Sequence, residues 1–342
     1  MWGEASLYAS PQRLGLLRRL SEFDKKVSFS NQLARQLKLK IADIIIEARC
    51  AGPDIGLATS QAMQRFLVKD GQPDCVIGVN YGPLPDIEME RELFTPGGGP
   101  WALYSSGQKL VFQLLANRNG ETYAHRMAIF EPGFERGELF ICPAFKLSVT
   151  GPMPLEKERM VSLDPFIPPL DELVVVNLLA IERGLHIHAL GIIYKGRGLV
   201  FSGVSGAGKS TMAELWKKKG VKILSDDRIS LRRQDGRVWA HGTPWHGDAR
   251  ISLPEKAPVE AIYFIVHGQE NRVLPLNTGE AASRFMVRCF PTFYLRRGME
   301  FTLRFIDELA HTVPCYELQF TPDQRAIDEV LNHVESLALS SR

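Results

Sequence analysis

The run Gly203-Val204-Ser205-Gly206-Ala207-Gly208-Lys209-Ser210 constrains this chain more than any other feature, because it spells G-x-x-x-x-G-K-S between two opposite periodicities. Leu199 to Ser202 before it reads as a short buried strand, and Thr211 to Lys219 after it reads as a helix closed by Gly220. A strand that passes through a glycine-rich turn into a helix aims consecutive backbone N–H groups and the positive end of the helix at one point. That arrangement suits a phosphate. Lys209 would neutralise the β- and γ-phosphates, and the Ser210 hydroxyl would serve as a Mg²⁺ ligand. Gly203, Ser205, Gly206, Ala207, Gly208, Lys209, Ser210 and Thr211 are therefore the expected nucleotide-binding residues, with ATP and Mg²⁺ as the expected cofactors.

A second signal follows at short range. Val221 to Ser225 is a hydrophobic strand that runs into Asp226-Asp227-Arg228, the form of a carboxylate metal site beside a nucleotide. Asp226 lies 17 residues beyond Lys209, which leaves room for one helix and an immediate return strand. Both carboxylates would then stand at the mouth of the loop. Two adjacent acids permit a division of labour, one near Mg²⁺ and one accepting a proton from a substrate hydroxyl. Upstream, His186 to Tyr194 and Leu199 to Ser202 are strands joined by Lys195-Gly196-Arg197-Gly198, so a hairpin delivers the loop. Most nucleotide-binding sheets surround that strand with parallel neighbours.

The rest of the chain is an ordinary background. At 342 residues it is long enough for about two domains. With 45% hydrophobic and 23% charged residues it reads as globular, and a formal charge of +2 without a long basic run gives no footprint for nucleic acid or an anionic membrane. Apolar runs such as Leu173 to Ile181 are too short to span a bilayer. Cys50, Cys75, Cys142, Cys289 and Cys315 are scattered without a C-x-x-C pair, which fits a reducing compartment. No apolar segment of signal-peptide length follows Met1. A cytoplasmic location is the expectation, and a homo-oligomer stays open.

Along the chain, residues 1–60 read as a helical N-terminal segment, with Leu14, Leu16, Leu17, Leu20 and Phe23 at helix-like spacing. Residues 61–165 alternate short apolar runs with turns, including Asn117-Arg118-Asn119-Gly120, and read as a mainly antiparallel β domain. The proline-rich stretch 152–169 crosses to a third region, 166–342, which opens on a helix over Leu170 to Arg183. Near its end, Thr321-Pro322-Asp323-Gln324 has the pattern of a capping box ahead of a final amphipathic helix. The fold class expected for 166–342 is α/β with a mixed sheet.

Taken together, His188, the Gly203–Thr211 loop and Leu224-Ser225-Asp226-Asp227-Arg228 resemble the catalytic domain of the HPr kinase/phosphorylase family, which shares its core with phosphoenolpyruvate carboxykinases. The resemblance covers roughly residues 168–270. It implies that Asp226 is the base on an acceptor serine, that Asp227 supports Mg²⁺, and that His188 assists proton transfer, with His186 on the same strand a weaker candidate. It also implies a protein or peptide substrate. Three departures stand out. Thr211 occupies a position that usually carries an acid. The family's downstream signature for phosphorolysis is replaced by Gly242-Thr243-Pro244-Trp245-His246-Gly247-Asp248-Ala249-Arg250. The N-terminal half does not match the usual partner domain. Within the replaced segment, His246 and Arg250 are candidates for closing over phosphate or acceptor, and a surface turn is the competing reading. The function expected is ATP-dependent phosphorylation of a serine-type hydroxyl. The rivals are a small-molecule phosphotransferase of carboxykinase type and a non-catalytic ATP sensor. A transport ATPase is disfavoured because no L-S-G-G-Q segment follows the loop.

Overall fold

The computed structural model describes residues 34–97, 99–118, 120–142, 161–204 and 206–340. The helix expected over the first thirty residues, Asn119 of the expected hairpin turn, residues 152–160 of the proline-rich stretch and Ser205 of the loop lie outside the described residues. The chain divides into two units. One comprises the described residues up to Leu39 with Ile45–Leu173, and the other Lys40–Ile44 with Val174 onward.

The first unit corrects the expectation of helix within residues 1–60. Residues 36–57 form three strands, β1 (Gln36–Ile41), β2 (Ile44–Cys50) and β3 (Ile55–Leu57). The reason is visible in β1, where Gln36, Lys38 and Lys40 alternate with Leu37, Leu39 and Ile41, a period of two that buries one face. A one-turn helix, α1 (Gln61–Gln64), precedes β4 (Cys75–Tyr81), β5 (Arg91–Phe94), β6 (Trp101–Ser106), β7 (Lys109–Arg118), β8 (Glu121–Phe130) and β9 (Arg136–Ile141). These strands make a sheet of order β1-β2-β4-β9-β8-β7-β6-β5. The sheet is mixed, because β4 lies parallel to both β2 and β9, while β5 to β9 form an antiparallel meander. Trp101 is buried against Phe94 and Phe112, so it belongs to the core of this unit. A short strand, β10 (Val161–Leu163), pairs in parallel with β3.

The second unit is α/β. Its strands are β11 (Leu185–Tyr194), β12 (Arg197–Ser202), β13 (Lys222–Ser225), β14 (Arg228–Gln234), β15 (Arg237–Gly242), β16 (Lys256–His267), β17 (Arg272–Pro275) and β18 (Cys315–Phe320). Its helices are α2 (Leu170–Ala180), within which the division between units falls, α3 (Lys209–Lys218), α4 (Thr278–Met286), α5 (Arg296–Thr312) and α6 (Arg325–Ser340). Two long strands carry the topology. The first half of β11 pairs with β14 and its second half with β12 and β13. Likewise the start of β16 pairs with β15, and its later residues lie parallel to β12 and β18.

Strand alternation sorts the core into two layers. On β16, Ile262 and Phe264 pack with Ala281 and Phe285 of α4 and with Phe305 and Leu309 of α5. The intervening Ala261, Tyr263 and Ile265 pack with Met212 and Trp216 of α3 and with Ile327 and Val330 of α6. Helices therefore cover both faces, and the loop between β12 and α3 emerges at the end of the sheet. The start of α6 differs from the expected capping box: the helix begins at Arg325, whose N–H donates to the Asp323 carboxylate at 2.9 Å. Among the described residues no helix is long and apolar enough to cross a membrane.

Candidate active site

The sheet register assembles the site. Ala189 of β11 pairs with Ser202, the last residue of β12, so the glycine-rich loop starts beside His188. On the other edge of β11, β13 and β14 meet end to end, with Asp226 and Asp227 between them, and the Ala189 N–H donates to the Asp227 carbonyl at 3.1 Å. His188 thus stands between the loop and the acidic pair. The Ser202 hydroxyl donates to the His188 carbonyl at 2.9 Å, locking the base of the loop to that strand.

Within the loop, Gly206 and Gly208 have φ of 82° and 100°, a region side-chain-bearing residues avoid. Gly208 is also the residue at which α3 begins, and a Cβ there would sit 2.7 Å from the Phe320 ring. Lys209 is buried, and its ammonium donates to the carbonyls of Gly203 at 2.6 Å and Val204 at 3.2 Å. Burial lowers the Lys209 pKa to about 8, against the opposing pull of Asp227. Ser210 and Thr211 are exposed in the first turn of α3. His267 ends β16 at the loop, with Nε2 at 3.0 Å from the Gly206 carbonyl oxygen.

The two aspartates are in different environments. Asp227 holds His188 through Oδ1 to Nε2 at 2.7 Å and accepts from the Arg228 guanidinium through Oδ2 at 2.7 Å. Burial pushes its pKa up, but Arg228, His188 and Lys209 outweigh that and hold the carboxyl well below the usual range. Burial lowers the His188 pKa, and the bond to Asp227 only partly offsets this. The Nδ1 of His188 takes no partner among the described residues. Arg228 lies over the Phe290 ring at 4.5 Å.

Asp226, 2% exposed, faces away from this pair. Its Oδ1 accepts the N–H groups of Gly247 at 3.0 Å and Ile251 at 3.3 Å, and its Oδ2 accepts that of Ala249 at 2.9 Å. Burial raises its pKa in spite of these bonds. Gly247 approaches so closely that a Cβ would lie 2.8 Å from Oδ2. The carboxylate is therefore built into the 247–251 loop. The two remaining candidates lie next to that loop and on it: His246, just before it, sits with Nδ1 3.1 Å from the Gly247 carbonyl oxygen, and Arg250 is exposed with φ of 54°. Ser225 ties the same loop from below, its hydroxyl donating to the Trp245 carbonyl at 2.9 Å. His186, the weaker histidine candidate, is buried, with Nδ1 2.9 Å from the Ser230 hydroxyl and its ring packed on Trp245 and Phe290. It belongs to the core.

Two arginines downstream carry no motif. Arg284 lies in the last turn of α4 and Arg288 just past its end, more than seventy residues beyond the loop, and only the fold brings Arg288 beside His188. The Arg288 carbonyl accepts the His188 N–H at 2.8 Å.

Among the described residues no cluster of three or more His, Cys, Asp or Glu side chains could hold a metal ion. That does not conflict with Mg²⁺, which keeps several waters and takes one or two carboxylates with substrate phosphates. The Ser210 hydroxyl and the ionised Asp227 carboxylate are hard oxygen donors of that kind.

A family model described as "SynChlorMet cassette protein ScmC" matches residues 170–332. Among solved structures, the Hpr(Ser) kinase/phosphatase from Coxiella burnetii aligns at 12% identity with a TM-score of 0.27, covering 46% of this chain and 93% of that one. No curated protein matches.

Proposed function

We propose that this chain is a phosphotransferase that uses MgATP to phosphorylate a serine-type hydroxyl on a protein or peptide, through an HPr kinase-like domain spanning 166–342. The observation that carries the reading is the juxtaposition on one strand: His188 lies between the start of the glycine-rich loop and Asp227, with Lys209 electrostatically coupled to that same carboxylate.

The roles differ from those that the resemblance implies. Asp226 has both oxygens engaged by the 247–251 backbone, so it is a positioning residue for that loop rather than the base. His188 takes the proton instead. Its Nε2 is committed to Asp227, which orients the ring and leaves Nδ1 as the acceptor, and its lowered pKa keeps the imidazole neutral near pH 7. In the reaction, the acceptor oxygen bonds to the γ-phosphorus and its proton passes to His188. The bond from that phosphorus to the β,γ-bridging oxygen breaks, and the electron pair leaves with ADP. Gly203 to Thr211 cradle the phosphates, with Lys209 neutralising charge that the transition state spreads over the equatorial oxygens. Ser210 and Asp227 would hold Mg²⁺, which supplies charge neutralisation at the β- and γ-oxygens when bound.

Calorimetric titration of MgATP, followed by incubation of γ-phosphate-labelled ATP with an array of serine-containing peptides, tests the reading. Saturable binding is expected, weakened tenfold or more (about 1.4 kcal/mol) in Lys209→Ala. A folded wild-type chain that does not bind MgATP would remove the proposal.

A further inference from the structure

The charges of Arg228, Arg284 and Arg288 are not balanced alike. Arg228 is paired with Asp227. Arg284 is paired with Glu317, which sits opposite Phe264 in the β16–β18 register. Arg288 is half-buried, and among the described residues it has no carboxylate within ion-pair distance. Its NH1 donates to the Arg284 carbonyl at 3.0 Å, and its Nε is buried without any partner. A guanidinium taken partly out of water costs free energy unless an anion or an acceptor compensates it. Here one backbone carbonyl and the face of the Phe264 ring are the compensation that the described residues provide, and neither is an anion.

The location says which anion would complete it. The Arg288 guanidinium lies over the Phe264 ring at 5.4 Å, and Phe264 pairs with Ser202, the residue that feeds the glycine-rich loop. From the other side, the Arg288 carbonyl is bonded to the His188 N–H, so the backbone that carries this arginine is fixed to the strand that carries the proposed base. Its charge is also felt at Lys209, whose ammonium it disfavours along with Arg228. Lys209, Arg228 and Arg288 are three cations at this end of the sheet, and Asp227, already paired with Arg228, is the one carboxylate that acts on Lys209.

We propose that Arg288 contacts the terminal phosphoryl group of the bound nucleoside triphosphate and carries part of its charge during transfer, an inference that rests on the phosphotransferase reading of the same site. Arginine suits this place because its planar fork meets two phosphate oxygens at once. The lysine serves the β- and γ-phosphates from within the loop, and Arg288 serves the γ-group from the segment bonded to His188. Discrimination between tri- and diphosphate would then reside in α4 and the residues following it rather than in the glycine-rich loop.

Calorimetry on the full chain tests this with three probes: the Mg²⁺ complex of the β,γ-imido triphosphate analogue, MgADP alone, and MgADP with inorganic phosphate. Arg288→Met is expected to weaken the analogue about tenfold to a hundredfold, the size of one lost charge-assisted contact, with less than a twofold change for MgADP. Arg288→Lys should recover part of the loss, and Lys209→Ala should weaken both nucleotides. The Arg288→Met chain is expected to fold, because the contact to His188 is made by the backbone. Should it not fold, Arg288→Lys alone decides: it must weaken the analogue several-fold more than MgADP. Equal losses on both nucleotides, or none on either, would overturn the assignment. So would loss of inorganic phosphate binding to the MgADP complex with the triphosphate analogue unaffected, since the anion at Arg288 would then be a free phosphate. A wild-type chain that binds neither nucleotide removes the phosphotransferase reading and this inference with it.

Discussion

Replacing Asp226 with Asn separates an anchor from a base. The side chain is 2% exposed and accepts N–H groups from Gly247, Ala249 and Ile251 at 3.0, 2.9 and 3.3 Å. An asparagine that keeps its oxygen at the Oδ1 position retains the bonds to Gly247 and Ile251, and turns an N–H₂ donor toward the Ala249 N–H. One charge-assisted bond, worth about 1.5–3 kcal/mol, is lost outright, and the other two lose their ionic character. The opposing term is desolvation. Burial raises the folded-state pKa of Asp226, so the folded chain binds more protons than the unfolded one in the window above the ordinary aspartate value. By linkage this group's contribution to stability falls as pH rises through that window, and a neutral amide escapes the cost. The net loss expected at pH 7 is about 1–2 kcal/mol. Local opening should rise by about tenfold or more, which amide hydrogen exchange at Gly247, Ala249 and Ile251 can read directly. MgATP affinity should change less than threefold. If exchange at those three amides stays unchanged while phosphoryl transfer drops by a factor of about 10² to 10⁴, Asp226 is the base and the anchoring argument is wrong.

The His188–Asp227 pair should shape the acidic limb of activity. His188 must be neutral, so transfer is lost as pH falls through its folded pKa. Asp227→Asn removes a group that raises that pKa, so the limb should move to lower pH with a reduced plateau, and an unmoved limb would refute the pairing. Lys209, lowered to about 8 by burial, regains its proton when polyphosphate arrives. MgATP binding at pH 8.5 should therefore take up protons, seen as different calorimetric enthalpies in buffers of unequal ionisation heat, and affinity should fall as pH rises through 8. Gly208→Ala meets both a positive φ of 100° and the Phe320 ring at 2.7 Å, so a loss of about 1–3 kcal/mol in denaturant titration is expected. An unchanged midpoint would mean that the loop and Phe320 separate easily.

The local features of the site were legible in the residues themselves. A glycine-rich turn between a strand and a helix is set by short-range geometry, and so are the hairpin through Lys195-Gly196 and the strand that ends at the acidic pair. Each depends on φ preferences and periodicity within a few residues. The same short-range reading failed for residues 36–57. The leucine spacing of the first residues was extended there, past the point where the period changes from helical to two. Other outcomes could not be read locally. Asp226 and Asp227 lie in the bend between β13 and β14, and which one would meet His188 depended on the pairing of β11 with those two strands. That register, and the close approach of the 247–251 backbone to Asp226, are set by contacts between distant segments. Arg288 had no motif at all. Its place beside His188 follows from α4 packing across the sheet, with Phe285 of that helix against Phe264 of β16, a burial of apolar surface that carries no mark in the sequence around residue 288. Motif and period determined where the glycine-rich loop and the carboxylates lie along the chain, and tertiary packing decided which charges face one another there, because electrostatic partnership depends on distance in space rather than along the chain.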